Sequence, residues 1–522
     1  MTDAKQGLEA AIAEGYGFEG LAVTFGAAMQ GEEAIAGAQV RVPLAMMNRH
    51  GLVAGATGTG KTKTLQVLAE QLSDAGVPVF ISDIKGDISG LGAPAELNDK
   101  LTGRAAKIGF ADYAARAFPV EFLTLDRGGK GVRLRASVLS FGPILLSKVL
   151  DLNETQQSVL SLAFKYADDK KLPLIDLPDL RALLNHLDSD EGKKEMEEYG
   201  GVATATVGVI IRKIVELEQQ EADAFFGAPE FDVADFLRIT ADGKGIISVL
   251  ELADMQDRPA LFSTFMMWLL AKLYQALPEV GDQDRPKLVF FFDEAHLLFR
   301  DANKTFLEQI ELVARLIRSK GVGVFFVTHA PSDVPSSVLA QLGNRVQHAL
   351  RAFTPNDLEV VRATADTFPT TEFYDVEEEL TRLGTGEALV TALDPKGRPM
   401  PTARTMMRPP QSLMAQLAPV AFDAVVAASP LVPEYATDQD PQSAREMLAA
   451  QVEQLAKEAA EAERMEGVED PEGRGRLRPT RAPERGVDWG DVAKEGARVA
   501  RSGAFNTILR AVLGVLGGGR RR

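Results

Sequence analysis

The 522-residue chain has no cysteine, which excludes disulfides, thiolate metal sites and cysteine nucleophiles. Neither its 5 histidines nor its acids show the spacing of a zinc site. No stretch approaches the roughly 18 uninterrupted apolar residues of a membrane span, and the first ten residues lack the apolar core of a secretory leader. These absences predict a soluble, cytoplasmic protein with no integral membrane segment. Positive charge is also scarce, with a formal net charge of −17. Residues 467–522 hold 12 Lys/Arg against 7 Asp/Glu, so residues 1–466 carry −22. So acidic a body argues against a broad nucleic-acid-binding surface. A narrow basic lining is still compatible with it, because fields are screened beyond roughly 10 Å. The length exceeds one ordinary core, so two or three units are expected. At 45% hydrophobic and 25% charged, the composition is that of a globular protein.

Against those absences one stretch stands out. Gly55, Ala56, Thr57, Gly58, Thr59, Gly60, Lys61 and Thr62 fill the G-x-x-x-x-G-K-[ST] template at every fixed position. The apolar residues 51–54 before it read as a buried strand, and Leu65, Leu68, Ala69 and Leu72 after it fall at helical spacing. Glycines let the backbone wrap an anion, and a helix N-terminus adds partial positive charge. Lys61 is then placed for the β- and γ-phosphates and the Thr62 hydroxyl for Mg²⁺, with Lys63 next in the helix. A flexible Gly/Thr turn is the plain alternative; the flanking strand and helix favour the phosphate loop.

A second buried strand at 77–81 ends in Ser82, Asp83, Ile84, Lys85, Gly86 and Asp87, completing a βαβ unit and predicting a largely parallel α/β sheet. Asp83 and Asp87 sit where such sheets bind ligands, although solvated turn acids fit nearly as well. Further strands are expected at 21–25, 38–42, 120–125, 132–136 and 245–250. Residues 143–236 read as helical and carry no catalytic pattern. Phe262, Phe265, Met266, Leu269 and Leu270 form an apolar helical cluster read as core.

Lys287 is followed by five apolar residues and then Asp293 and Glu294. A central strand ending in two acids supplies, in phosphate-loop NTPases, an Asp for the Mg²⁺ shell. Asp293 takes that role, and Glu294 is placed to orient the attacking water. Two acids favouring the start of a following helix is the alternative. The next strand, 321–327, ends at Thr328 and His329. If it neighbours the acidic strand, His329 is placed to sense the γ-phosphate. His296 and His348 are read as structural.

The residues 55–62, Asp83 to Asp87, Phe290 to His296 and Val327 to Pro335 together resemble HerA-like ATPases of the HerA/FtsK superfamily. Residues 342–355 resemble the bacterial subfamily typified by YjgR. The likeness covers roughly residues 45–410, and the tail ending at 508–519 also fits. The resemblance implies a RecA-like core in a hexameric ring, with ATP and Mg²⁺ at subunit interfaces and DNA as the substrate. It implies an arginine acting across the interface, matched by Arg318, with Arg345 and Arg351 as runners-up. It also suggests Arg49 as a nucleotide contact within its own subunit. Two departures stand out. His329 occupies a position that is commonly Gln, and about 45 residues cannot supply the N-terminal β-barrel of the HerA motors.

The expected organisation is a short β-rich segment (1–45), an ATPase core in two parts (46–142 and 238–410), a helical insertion (143–237) and a helical, partly disordered C-terminal tail (411–522). Residues 384–393 and 400–407 are expected to close the core as a hairpin. The apolar stretch 505–516 with its basic flank could dock on a protein partner, touch an anionic surface or fold back; docking or folding back is favoured. The resemblance favours a DNA-translocating ring motor. The acidic body and missing barrel favour an ATPase switch acting on a protein partner.

Overall fold

In a computed structural model, the structure describes residues 2–126, 128–219, 224–253, 259–281, 283–299 and 304–466. The stretch expected to be disordered beyond residue 466 and the apolar stretch 505–516 lie outside them. Two compact units are present, one formed by residues 1–134 and 231–437 and the other by 135–230 and 438–522.

The first unit is built on twelve strands: β1 (Ala22–Gln30), β2 (Glu33–Pro43), β3 (Gly51–Ala54), β4 (Val79–Asp83), β5 (Val120–Thr124), β6 (Val132–Arg133), β7 (Ile247–Glu251), β8 (Leu288–Phe292), β9 (Val322–Thr328), β10 (Asn344–Gln347), β11 (Glu387–Thr391) and β12 (Ala403–Met407). They form one sheet in the order β2-β1-β12-β11-β10-β3-β9-β8-β4-β7-β5-β6. From β10 to β6 every pairing is parallel, and from β2 to β10 every pairing is antiparallel. The division follows from burial. β3, β4, β8 and β9 are buried at every residue, as parallel strands covered on both faces must be. β2 mixes buried and exposed positions, as expected of an antiparallel strand at the sheet's edge.

The N-terminal strand-like runs belong to β1 and β2, which extend the main sheet through the β1–β12 pairing. The helix Thr2–Tyr16, which the strand-like reading of this segment does not include, buries Leu8, Ile12 and Tyr16 in the core. Residues 411–437, expected to begin a tail, instead belong to this unit. The buried Glu70 carboxylate accepts from the Gln411 and Ser412 N–H groups, at 2.9–3.1 Å, and from the Ser412 hydroxyl. Farther on, Phe422 stacks on Phe122 with ring centroids 4.1 Å apart.

The second unit is helical: Val138–Val149, Glu154–Lys170, Leu177–Asp188, Asp190–Met196 and Thr204–Gln219, with Ala444–Glu466 returning from the far end of the chain. Asn153 and Asp176 each form a capping box at a helix start. The Asp179 carboxylate also holds Ser443 and the Arg445 N–H, which ties Ala444–Glu466 to the helix Leu177–Asp188. The helical region runs from 135 rather than 143 and ends at 230, because residues 231–237 rejoin the first unit.

Candidate active site

Four neighbouring parallel strands, in the order β3-β9-β8-β4, send their C-terminal ends to one edge of the sheet. That edge is where ligands bind in sheets of this kind. Each strand delivers one loop.

The loop after β3 is residues 55–60, and Lys61 opens the helix Lys61–Asp74. Gly60 caps that helix at φ 122°, a conformation side chains avoid. Gly55 is needed for a second reason: a Cβ there would lie 2.5 Å from the His348 Cβ. The loop is fastened by backbone bonds from Ala56 N–H to Ala349 O (2.8 Å) and from Gly386 N–H to Thr59 O (2.9 Å). Beneath it, His348 Nδ1 donates to Glu387 O and Nε2 accepts from the Thr64 hydroxyl, both at 2.8 Å. Burial holds this imidazole down at about 4, so it is neutral. Lys61 Nζ donates to Gly55 O (2.7 Å) and Ala56 O (3.3 Å), folded back over its own loop. Burial lowers its pKa, opposed by Glu294. Thr57 and Gly58 are exposed at the loop tip, and Thr62 follows in the first helical turn. Lys63 turns elsewhere, donating to Met414 O at 2.7 Å.

The loop after β8 carries Asp293 and Glu294. Asp293 is 1% exposed, and its Oδ2 has no hydrogen-bond partner. Burial, then the neighbouring Glu294, pushes its carboxyl up to about 7. Glu294 has a left-handed backbone, φ 49°, rare for a residue with a side chain and concentrated at functional sites. Its carboxylate meets the Lys85 ammonium on one oxygen, and His296 Nδ1 and His329 Nε2, each at 3.2 Å, on the other. Burial raises this carboxyl, but His296 and Lys85 outweigh it and bring it to about 2. Glu294 therefore carries the negative charge of the pair.

His329 follows β9. The Asp333 carboxylate braces its loop, accepting from the Thr328 hydroxyl and from the N–H groups of His329 and Ala330 at 2.8–3.1 Å. Burial lowers the His329 pKa, against the pull of Glu294. The loop after β4 is held by Asp83, which accepts from the N–H groups of Lys85, Gly86 and Ile88 at 2.8–3.1 Å. One oxygen each of Asp83, Asp87 and Asp293 lie within 4.8 Å of one another. The unpartnered Asp293 oxygen beside two further carboxylates fits a divalent cation. Glu294, His296 and His329 also offer three atoms within 4.8 Å. There the Lys85 ammonium already balances the carboxylate's charge from its other oxygen.

The arginines are placed differently. Arg49 precedes β3 and Arg318 precedes β9, so both sit at the opposite edge of the sheet, near His50. Four residues of β3 interpose about 13 Å and seven of β9 about 23 Å. Arg49 and the phosphate loop of its own chain thus lie at opposite ends of β3. Arg345 lies within β10 and donates to Thr367 O at 3.2 Å. Arg351 is exposed, two residues beyond the Ala349 that holds Ala56.

Lys85 and the part played by His296 escaped the sequence reading. The available signal was the adjacency of β4 and β8, which would have placed the residues after Asp83 beside Glu294. That order is set by packing and has no local pattern.

A glycine-rich anion loop after β3, and a buried aspartate and a charged glutamate after β8, one parallel strand away, define a phosphate-loop ATPase. The profile of the family described as "Helicase HerA-like C-terminal" matches residues 29–522, and the chain belongs to that family. It is 23% identical over 365 residues to the DNA double-strand break repair helicase HerA of Sulfurisphaera tokodaii, covering 67% of this chain and 64% of that protein. The corresponding protein of Sulfolobus acidocaldarius is 22% identical over 363 residues, with the same coverage. The chain thus spans under two thirds of the length of these curated relatives. Among solved structures, the plasmid coupling protein TrwB in complex with a non-hydrolysable ATP analogue aligns with 77% of this chain and 98% of its own, at 17% identity and a TM-score of 0.48. VirB4 of Thermoanaerobacter pseudethanolicus aligns with 77% and 99%, at 15% identity and a TM-score of 0.44.

Proposed function

We propose that this protein hydrolyses MgATP and uses the energy to translocate on DNA as a ring of identical subunits, hexameric as the family resemblance implies. The observation that carries the hydrolytic part is the pairing of a charged, left-handed Glu294 with the Lys61 loop at one edge of the sheet, after β8 and β3 with only β9 between them. The backbone amides of the loop and Lys61 bind the phosphates. Glu294 accepts a hydrogen bond from the attacking water and turns its lone pair toward the γ-phosphorus. His329, neutral at pH 7, donates to or accepts from that water's surroundings. Thr62 and Asp293 would hold Mg²⁺, which neutralises charge on the β- and γ-phosphates.

Arg318 sits too far from its own loop to act there, which is consistent with a role on the phosphate of a neighbouring subunit. The DNA part rests on the family and on the names of the relatives. The −22 charge of residues 1–466 restricts any such contact to a narrow basic lining and favours a protein-directed switch as the rival. ATP turnover measured with and without duplex DNA, at low and moderate salt, separates the two. Stimulation that fades with salt supports the motor. Turnover indifferent to DNA at every salt concentration supports the switch.

A further inference from the structure

We propose that Lys85 is a positioning residue for the hydrolytic step, its ammonium holding the Glu294 carboxylate at the γ-phosphate end of the loop. The inference rests on the hydrolysis reading above and adds to it a residue outside the phosphate-loop and acidic-strand motifs.

Sheet order brings the two residues together. β4 and β8 are parallel neighbours with Ser82 opposite Phe292, so the loop entered at Asp83 lies beside the one entered at Asp293. Three N–H groups donate to the Asp83 carboxylate and fix the turn from which Lys85 projects. Gly86, at φ 69°, lets the chain reverse there. Lys85 is thus delivered by a braced loop rather than a free one.

The ion pair is asymmetric in burial. The Lys85 side chain is 38% exposed, whereas that of Glu294 is 7% exposed. A carboxylate this buried needs a cationic partner to remain charged. His296 and His329 share its other oxygen as imidazoles, whereas the partner on the first oxygen is the Lys85 ammonium, which supplies the full charge. With one oxygen pinned by Lys85, rotation of the carboxylate is restricted, and geometry at this level decides rate: a misplacement of about 1 Å can cost on the order of 100-fold. Lys85 also borders a cavity of about 410 Å³, which leaves room for a bulkier guanidinium in its place.

The test is steady-state ATP turnover of wild type, Lys85→Met and Lys85→Arg, together with equilibrium binding of ADP and a non-hydrolysable ATP analogue. Thermal unfolding confirms that each variant is folded. Lys85→Met should lower kcat about tenfold or more while KM and both affinities stay within about twofold. Lys85→Arg should recover most of the loss, and Lys85→Met should cost nothing further in a Glu294→Gln background. A wild-type kcat in Lys85→Met overturns the proposal. So does a loss confined to KM and to the ATP analogue, which would make Lys85 a phosphate ligand instead. A wild-type protein that turns over no ATP overturns this proposal and the hydrolysis reading together, whereas active wild type with unimpaired Lys85→Met overturns this one alone.

Discussion

Glu294 combines a left-handed backbone, near-complete burial and three cationic or imidazole neighbours, and each feature limits what can replace it. Lys61 is the other residue on which binding depends, and Lys61→Ala should abolish measurable ATP binding because no other ammonium reaches into the loop from its own helix start. Gly55→Ala tests the packing beneath that loop. The added Cβ would meet His348 at 2.5 Å, so the variant should lose about 1–3 kcal/mol of stability in urea unfolding and bind ATP more weakly. His348 gives a pH prediction. Its folded pKa of about 4 lies below the ordinary 6.5, so between those values the unfolded chain binds the proton first. Its contribution is therefore neutral above pH 6.5 and becomes a loss as pH falls toward 4. Comparison with His348→Gln cancels the other titrating groups. The wild type should lose about 2 kcal/mol relative to that variant between pH 7.5 and pH 5. A pH-independent difference would contradict the buried neutral imidazole.

At the scale of elements, β8 is the strand on which the site depends. Phe291 is fully buried and tilts against Phe325 of β9 with ring centroids 5.2 Å apart. Phe291→Ala should cost about 3–5 kcal/mol, read as a shift of the urea midpoint. The Gln411 and Ser412 amides both donate to one carboxylate, and Glu70→Ala should release them to fast hydrogen exchange while the sheet stays protected. Slow exchange in that variant would show that packing, not Glu70, retains the segment. These elements divide according to how far their cause lies along the chain. The phosphate loop, β8 with its acids and β9 were legible because each is a short apolar run ended by a fixed chemical pattern. The helix Thr2–Tyr16 was not read from its Gly- and Glu-containing sequence, and its place comes from burial of Leu8, Ile12 and Tyr16. The return of residues 411–437 to the core uses partners such as Glu70 and Phe122, some 300 positions or more earlier, which no local window contains. Lys85 is legible as a residue after a strand, but its meeting with Glu294 depends on strand order.

For the whole molecule, Arg318 decides whether the ATPase is a lone subunit or a shared interface. Within its own chain the length of β9 separates it from the phosphate loop. If it completes a neighbour's site, mixing Arg318→Ala with Lys61→Ala subunits should restore part of the turnover that each lacks alone, since mixed interfaces combine an intact loop with an intact arginine. Failure to recover at any ratio would remove Arg318 from that role. None of the helices among the described residues is long and apolar enough to cross a membrane. The central claim is that a buried carboxylate beside the Lys61 loop makes water attack the bound nucleotide, and it is tested most directly by Glu294→Gln. That variant should bind an ATP analogue as tightly as the wild type while its turnover falls roughly 100-fold or more. Wild-type turnover in Glu294→Gln would contradict the account at its root.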